Sequence, residues 1–270
     1  KRIIFTGLLL QLTIPALAEL RIEITKGVDN AVRIAVVPFA WKSKRKPPFD
    51  VGDVGDVVSS DLRLSGRFEA LPTSQMLSFP NDSSEVLPRD WRMLGVEYLV
   101  VGYLEPREVS VRLHFELYSV LRQTVVAKQT IEGLPMDLRD MAHHVSDVVF
   151  SELTGIKGAF STQIMYVTAM DDDKGRQFAL NIADADGYRV RKVLESKEPI
   201  LSATWSPDGK MIAYVSFEQD GRPAIYLHEL VTGDRQVLTS FAGLNGAPSF
   251  SPDGKEIALV LSKDGNPDIY

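Results

Sequence analysis

Residues 204–210 read TWSPDGK and residues 249–255 read SFSPDGK, so an aromatic residue followed by Ser-Pro-Asp-Gly-Lys recurs with Pro207 and Pro252 45 positions apart. Pro presets φ for the second position of a type I turn, Asp tolerates the third, and Gly supplies the positive φ with which the chain re-enters a strand. The motif therefore closes a tight hairpin between antiparallel strands, and its return counts a structural unit. IMYVTA at 164–169, MIAYVS at 211–216 and EIALVL at 256–261 read as equivalent strands, each followed by a polar, Gly-containing turn and a second strand: FALNIAD, AIYLHEL and DIY. The spacing is 48 residues from Ile164 to Ile212 and 45 from Ile212 to Ile257. Periods in the forties made of short strands predict blades of a β-propeller. Trp205 and Phe250, just ahead of the turns, are expected to pack between neighbouring blades, because a blade cannot bury both of its faces alone.

The region before these repeats has a different grammar. RIEIT and RIAVVPFAW read as strands, and VGDVVSSDLRLSG puts Val54, Val57, Val58, Asp61 and Leu62 at helical spacing with Gly66 as a stop. EYLVVGYLE, VSVRLHFELYSVL and TVVAKQTIEG follow as three strands with short connections, and LRDMAHHVSDVVFSELTG as an amphipathic helix ending at Gly155. These elements predict an α/β domain, a mixed sheet with helices, ahead of the all-β propeller. The expected organisation is a leader at 1–18, the α/β domain at 19–157 and the first propeller blades at 158–270.

The leader is KRIIFTGLLLQLTIPALA: a basic start at Lys1 and Arg2, a mostly apolar run from Ile3 to Leu12, and an A-x-A cleavage signal at Ala16-Leu17-Ala18. Gln11 and Pro15 interrupt a stretch already shorter than the roughly 20 apolar residues a spanning helix needs, so it reads as a signal peptide, with Glu19 as the mature start. With 30 Lys plus Arg against 36 Asp plus Glu, the formal charge of −6 provides no global field for phosphate backbones, which speaks against a nucleic-acid partner. The four basic residues of WKSKRKPPF at 41–49 sit ahead of two Pro residues in a loop, read as a solvated segment rather than a patch for an acidic partner.

Catalytic and cofactor chemistry finds no foothold. The chain has no Cys, which excludes thiol catalysis and Cys-based zinc sites. His114, His143, His144 and His228 make no ligand spacing, and DDDKG at 171–175 and DADG at 184–187 fit hairpin turns better than a calcium loop. No G-x-S-x-G and no Gly-rich phosphate loop is present, so no enzyme activity, cofactor or metal is expected. One alternative stays open: the propeller domain of an exported peptidase lacking its catalytic domain.

The repeat unit, with its Asp220-Gly221, Pro223 and Ile225-Tyr226 and the matching Asp264-Gly265, Pro267 and Ile269-Tyr270, resembles the propeller repeat of the TolB family. A leader, then RIAVVPFAW, DLRLSGRFEALP and DWRMLGVEYLVVGYL, then this repeat, in this order, extend the resemblance to essentially the whole chain. The resemblance implies a periplasmic protein of the Tol-Pal cell-envelope system, peripheral to the membrane, that binds the Pal lipoprotein and the C-terminal domain of TolA, with other outer-membrane proteins and colicins as further partners. It implies a propeller of six blades, of which about two and a half are visible before Tyr270, so the sequence reads as truncated. It also places Pal contacts at the mouth of the propeller channel. Leu244, Asn245, Gly246 and Ala247 match that position, although they could equally shape only an inter-blade crossover. TolA contacts are implied at Glu19, Leu20, Arg21, Ile22, Glu23, Ile24 and Thr25. There Leu20, Ile22 and Ile24 alternate with Arg21, Glu23 and Thr25, a strand pattern able to extend either its own sheet or a partner's.

Overall fold

Successive side chains of a strand point to opposite faces, and the first domain buries both faces of its sheet. The computed structural model describes residues 31–44, 46–47, 52–173 and 175–270; the expected leader and the strand pattern at 19–25 lie outside them. Strand β1 (Val32–Val36) is followed by β2 (Ala40–Trp41), helix α1 (Gly52–Leu64), β3 (Phe68–Ala70) and helix α2 (Pro88–Met93). Strands β4 (Tyr98–Pro106), β5 (Val111–Ser119) and β6 (Thr124–Gly133) then precede helix α3 (Leu138–Thr154). The sheet runs β3-β1-β4-β5-β6, with β2 beside β4 on the edge it shares with β1. β1 is parallel to β3 and β4, whereas β4, β5 and β6 form an antiparallel meander, so the sheet is mixed.

Ile34 and Val36 join one core with Val54, Val58 and Leu62 of α1 and Val145 and Val149 of α3. Ala35 and Val37 face the other way, into a second core with Trp91 of α2, Leu99 and Val101. Both long helices stop as their sequences predict: Gly66 and Gly155 take φ of +71°, and the Gly155 N–H donates to Ser151 O at 2.9 Å. RIAVVPFAW is one departure. It forms two strands, not one, because Pro38 lacks the N–H that a continuous ladder needs. The break lets the Phe39 ring fold onto Gly102, where a Cβ would lie only 2.4 Å from Phe39 Cε1.

The repeats form three antiparallel sheets. Their strands are β7 (Gln163–Asp172), β8 (Gly175–Asp184) and β9 (Arg191–Ser196); β10 (Ile200–Trp205), β11 (Met211–Gln219), β12 (Arg222–Glu229) and β13 (Arg235–Thr239); and β14 (Asn245–Phe250), β15 (Ile257–Leu261) and β16 (Asp268–Ile269). The first strand of each sheet lies against the first strand of the next, β7 on β10 and β10 on β14, as around a propeller axis. The middle sheet buries both faces. Ile212 and Tyr214 of β11 pack toward the first sheet with Leu180 and Ile200, and the half-buried Trp205 joins them. Val215, one position on, packs toward the third sheet with Ile225, Leu259 and Leu261.

The SPDG turns adopt the expected geometry, with Gly209 at φ +70° and Gly254 at φ +69°. Their Ser residues carry more than the sequence suggested. Ser206 Oγ donates to Asp208 Oδ1 at 2.7 Å and accepts from Met211 N at 2.9 Å, while Asp208 Oδ1 accepts from Lys210 N at 3.1 Å. Ser251 repeats the arrangement with Asp253, Glu256 and Lys255 at 2.7, 3.0 and 3.2 Å. The hydrogen bond from Ser holds each Asp carboxyl below its ordinary range. Because Ser206 is buried, Ser206→Ala leaves the Met211 N–H without its acceptor, and urea denaturation should show a loss of about 1–2 kcal/mol. The more exposed Ser251→Ala should lose less.

Candidate functional site

Two places on the chain gather side chains in ways that packing alone does not explain. The first is the loop ahead of β14 together with the bulged start of that strand, where the sequence predicts only a connection. Asn245 is fully buried, and its amide is spent inside the loop: Oδ1 accepts from Phe241 N at 3.0 Å, and Nδ2 donates to Phe241 O at 2.7 Å. Leu244 N donates to Ser262 Oγ at 2.7 Å, which ties the loop to the end of β15. Asn245 is therefore a brace, and Leu244 and Ala247 are what it presents outward, Leu244 remaining 43% exposed.

Ala247 takes φ of +47°, and Ser202, its counterpart in the preceding sheet, takes +50°. Both sit in β-bulges, between Gly246 and Ser249 and between Leu201 and Thr204. Bulges re-aim the side chains around them. Here Leu201, Phe217, Leu244 and Val260 line a mostly apolar open cavity of about 540 Å³, with Gly246 and Ala247 on its wall.

The second place is the seam between the domains. Asp61 of α1 belongs to an apolar stripe yet is buried, and its Oδ2 lies 2.8 Å from Nδ1 of the buried His143 on α3. The DADG turn after β8 meets them from the propeller side. Arg139 Nε donates to Asp184 Oδ2 at 3.3 Å, Arg139 Nη2 donates to Asp186 Oδ2, and the Arg139 guanidinium lies 4.1 Å from the centre of the Tyr188 ring. Arg189 binds Asp184 through Nε at 2.7 Å and Nη2 at 3.0 Å, and Asp140 of α3 through Nη1 at 3.0 Å. These bonds raise the Arg189 pKa, and the hydrogen bond from Arg189 holds Asp140 below its ordinary range. DADG is a turn, with Gly187 N donating to Asp184 O at 2.9 Å, but the reading of it as only a turn is too small.

Asp61, His143 and Asp186 offer donor atoms within 4.8 Å of one another, which the spacing of the four His residues does not reveal. As a metal site they fit poorly, because the Arg139 guanidinium already stands against Asp186 where a cation would bind. Of the other His residues, His114 meets Thr130 at 2.8 Å and stacks on Tyr103, His144 Nε2 lies 3.3 Å from Gln129 Oε1, and His228 is buried, which pushes its pKa down. In the basic loop, Lys44 and Lys46 line a cavity of about 720 Å³ with Trp41 and Arg107. No helix among the described residues is long and apolar enough to cross a membrane.

The connection between the domains is itself pinned. Asp147 of α3 accepts from Phe160 N at 2.7 Å and Ser161 N at 3.1 Å, and Ser151 Oγ accepts from Gly158 N at 3.1 Å. Phe160 packs edge-on against Phe150, and a Cβ on Gly158 would come within 2.5 Å of Asp147 Cα.

An α/β domain joined through a polar seam to propeller sheets with bulged inner strands defines a two-domain propeller protein. Comparison gives the family: the model of the TolB amino-terminal domain matches residues 20–126 and that of the TolB beta propeller domain residues 150–270. The chain belongs to the TolB family. It is 47% identical to the Tol-Pal system protein TolB of Alcanivorax borkumensis, over 93% of this chain and 57% of that protein. Against the protein of the same name from Pseudomonas syringae pv. tomato the identity is 45%, over 91% and 57%. The crystal structure of TolB from Acinetobacter baumannii superposes with a TM-score of 0.78 at 41% identity, covering 92% of this chain and 59% of that one. The chain thus spans somewhat more than half the length of these relatives.

Two outcomes test the seam. Asp184, with a side chain only 4% exposed, holds two guanidinium groups, so Asp184→Ala should cost about 2–4 kcal/mol in urea denaturation. Asp140, with its depressed pKa, contributes stability above the ordinary Asp value of about 3.9, and that contribution is lost as pH falls through the lower folded value. Asp140→Asn should flatten that part of the acid limb of a stability–pH curve.

Proposed function

We propose that the protein is a non-enzymatic periplasmic component of the Tol-Pal system. In this reading it binds the Pal lipoprotein at the mouth of its propeller and the C-terminal domain of TolA through its mature N-terminal segment. It thereby supports outer-membrane integrity and envelope constriction during cell division. The domains are taken as 19–157 and 158–270. What carries the reading is the match to both TolB domain models, in order, along one chain.

The loop geometry supports the Pal assignment. A binding loop is useful when it is rigid before the partner arrives, since ordering it on contact would oppose association. Asn245 provides that rigidity from within, leaving Leu244 and Ala247 beside the apolar cavity to meet the partner. For TolA, the alternation of Leu20, Ile22 and Ile24 with Arg21, Glu23 and Thr25 suits addition to an exposed sheet edge, where main-chain hydrogen bonds give affinity and alternate side chains give specificity.

Binding measured by calorimetry separates the two surfaces. Leu244→Asp should weaken Pal binding about 10-fold or more, equivalent to about 1.4 kcal/mol, and leave TolA binding unchanged. Deleting residues 19–25 should abolish TolA binding and spare Pal binding. Loss of both partners in either variant, or of neither, would overturn the assignment.

A further inference from the structure

We propose that a proton on His143 Nε2 acts as a clasp between the two domains, with the imidazolium joining Asp61 of α1 to Asp186 after the first propeller sheet's β8 and the neutral ring breaking that link and leaving Asp186 to Arg139 alone. His143 is 2% exposed, and Nε2 is buried without a hydrogen-bond partner. It lies 3.9 Å from Asp186 Oδ2, while Nδ1 on the other side is 2.8 Å from Asp61 Oδ2. The ring therefore spans the seam between two carboxylates.

The two protonation states differ sharply in this position. With the Asp61 bond made by Nδ1–H, a neutral ring presents the lone pair of Nε2 to the Asp186 carboxylate, and the two repel. A charged ring presents N–H and attracts it. The charged groups around His143 among the described residues are Asp61 from α1, Asp186 from the turn after β8, and Arg139 and Asp140 from α3 itself. Arg189 and Asp184 complete the cluster, so four acidic side chains face two guanidinium groups, and a proton on His143 reduces that excess.

Burial opposes the charged ring, but the hydrogen bond to Asp61 and the charges of Asp61 and Asp186 outweigh it, so the His143 pKa is raised. The sign follows. The clasp is fully present below the ordinary His value of about 6.5, and it is lost as pH rises through the higher folded value. The Arg139 and Arg189 bonds to Asp184 and Asp186 do not involve the ring, so the domains remain attached while the link from α1 through His143 to the turn at 184–187 is lost. The switch acts on seam geometry, not on association.

The absence of Cys makes the test direct. Spin labels on Leu121→Cys in the α/β domain and Val231→Cys in the second sheet, both 80% exposed in the protein, report the interdomain distance distribution. Between about pH 5 and about pH 9 the distribution should broaden reversibly, with a midpoint matching the NMR titration of the His143 ring. His143→Gln should remove the pH dependence. Asp186→Asn, which retains the Asp61–His143 pair, should also remove it and move the ring titration downward. The proposal is overturned if the distribution is independent of pH, if it keeps its dependence in either variant, or if the ring titrates below the ordinary His value.

Discussion

A strand with apolar residues on both of its faces must be covered twice, and this constraint organises both domains. In the α/β domain the alternation of Ile34 and Val36 with Ala35 and Val37 creates two cores, one roofed by α1 and α3 and the other by α2. Among the described residues of the propeller there is no helix, and neighbouring sheets provide the cover. Ile212 and Tyr214 of β11 require the first sheet, and Val215 requires the third. Burial at roughly 25 cal/mol per Å² rewards stacking along the whole length of the sheets, which is why the units can be held by contact with their neighbours alone.

The seam between the domains obeys the opposite logic. It relies on Arg139 of α3 holding Asp184 and Asp186 at the end of β8 and on Arg189 bridging Asp184 to Asp140 of α3, with Tyr188 against the Arg139 guanidinium. Desolvating such groups offsets much of their attraction, so a polar seam holds geometry without the permanence of a shared apolar core. The linker compensates. Asp147, Ser151 and the Phe150–Phe160 contact fix the chain where it leaves α3, so that movement at the seam starts from a fixed point.

Features whose causes are local were legible in the sequence. The SPDG period, the alternating strands and the Gly stops at 66 and 155 each depend on residues within a turn or two of one another. The division of RIAVVPFAW was legible in principle, because Pro38 lies inside it. Asp61 was visible as an acidic residue in an apolar helical stripe, and that mismatch was the signal for the seam. Its meaning was not visible, because His143 is 82 residues away and Asp186 farther still, on a different domain. The stretch at 244–247, which opens β14, was placed by resemblance alone. That Asn245 turns inward while Leu244 faces out depends on bonds to Phe241 and Ser262 that spacing cannot reveal.

The SPDG turn has a consequence for how such a chain can lengthen. Each copy satisfies its own polar groups within about one turn of chain: among the described residues, the Ser and Asp side chains and the following backbone amides bond among themselves. A unit that closes its own hairpin can be duplicated or exchanged by copying a single stretch of gene, without matching changes in the unit beside it. The seven residues thus make the blade a heritable module, and growth by repetition needs only that the apolar faces still meet.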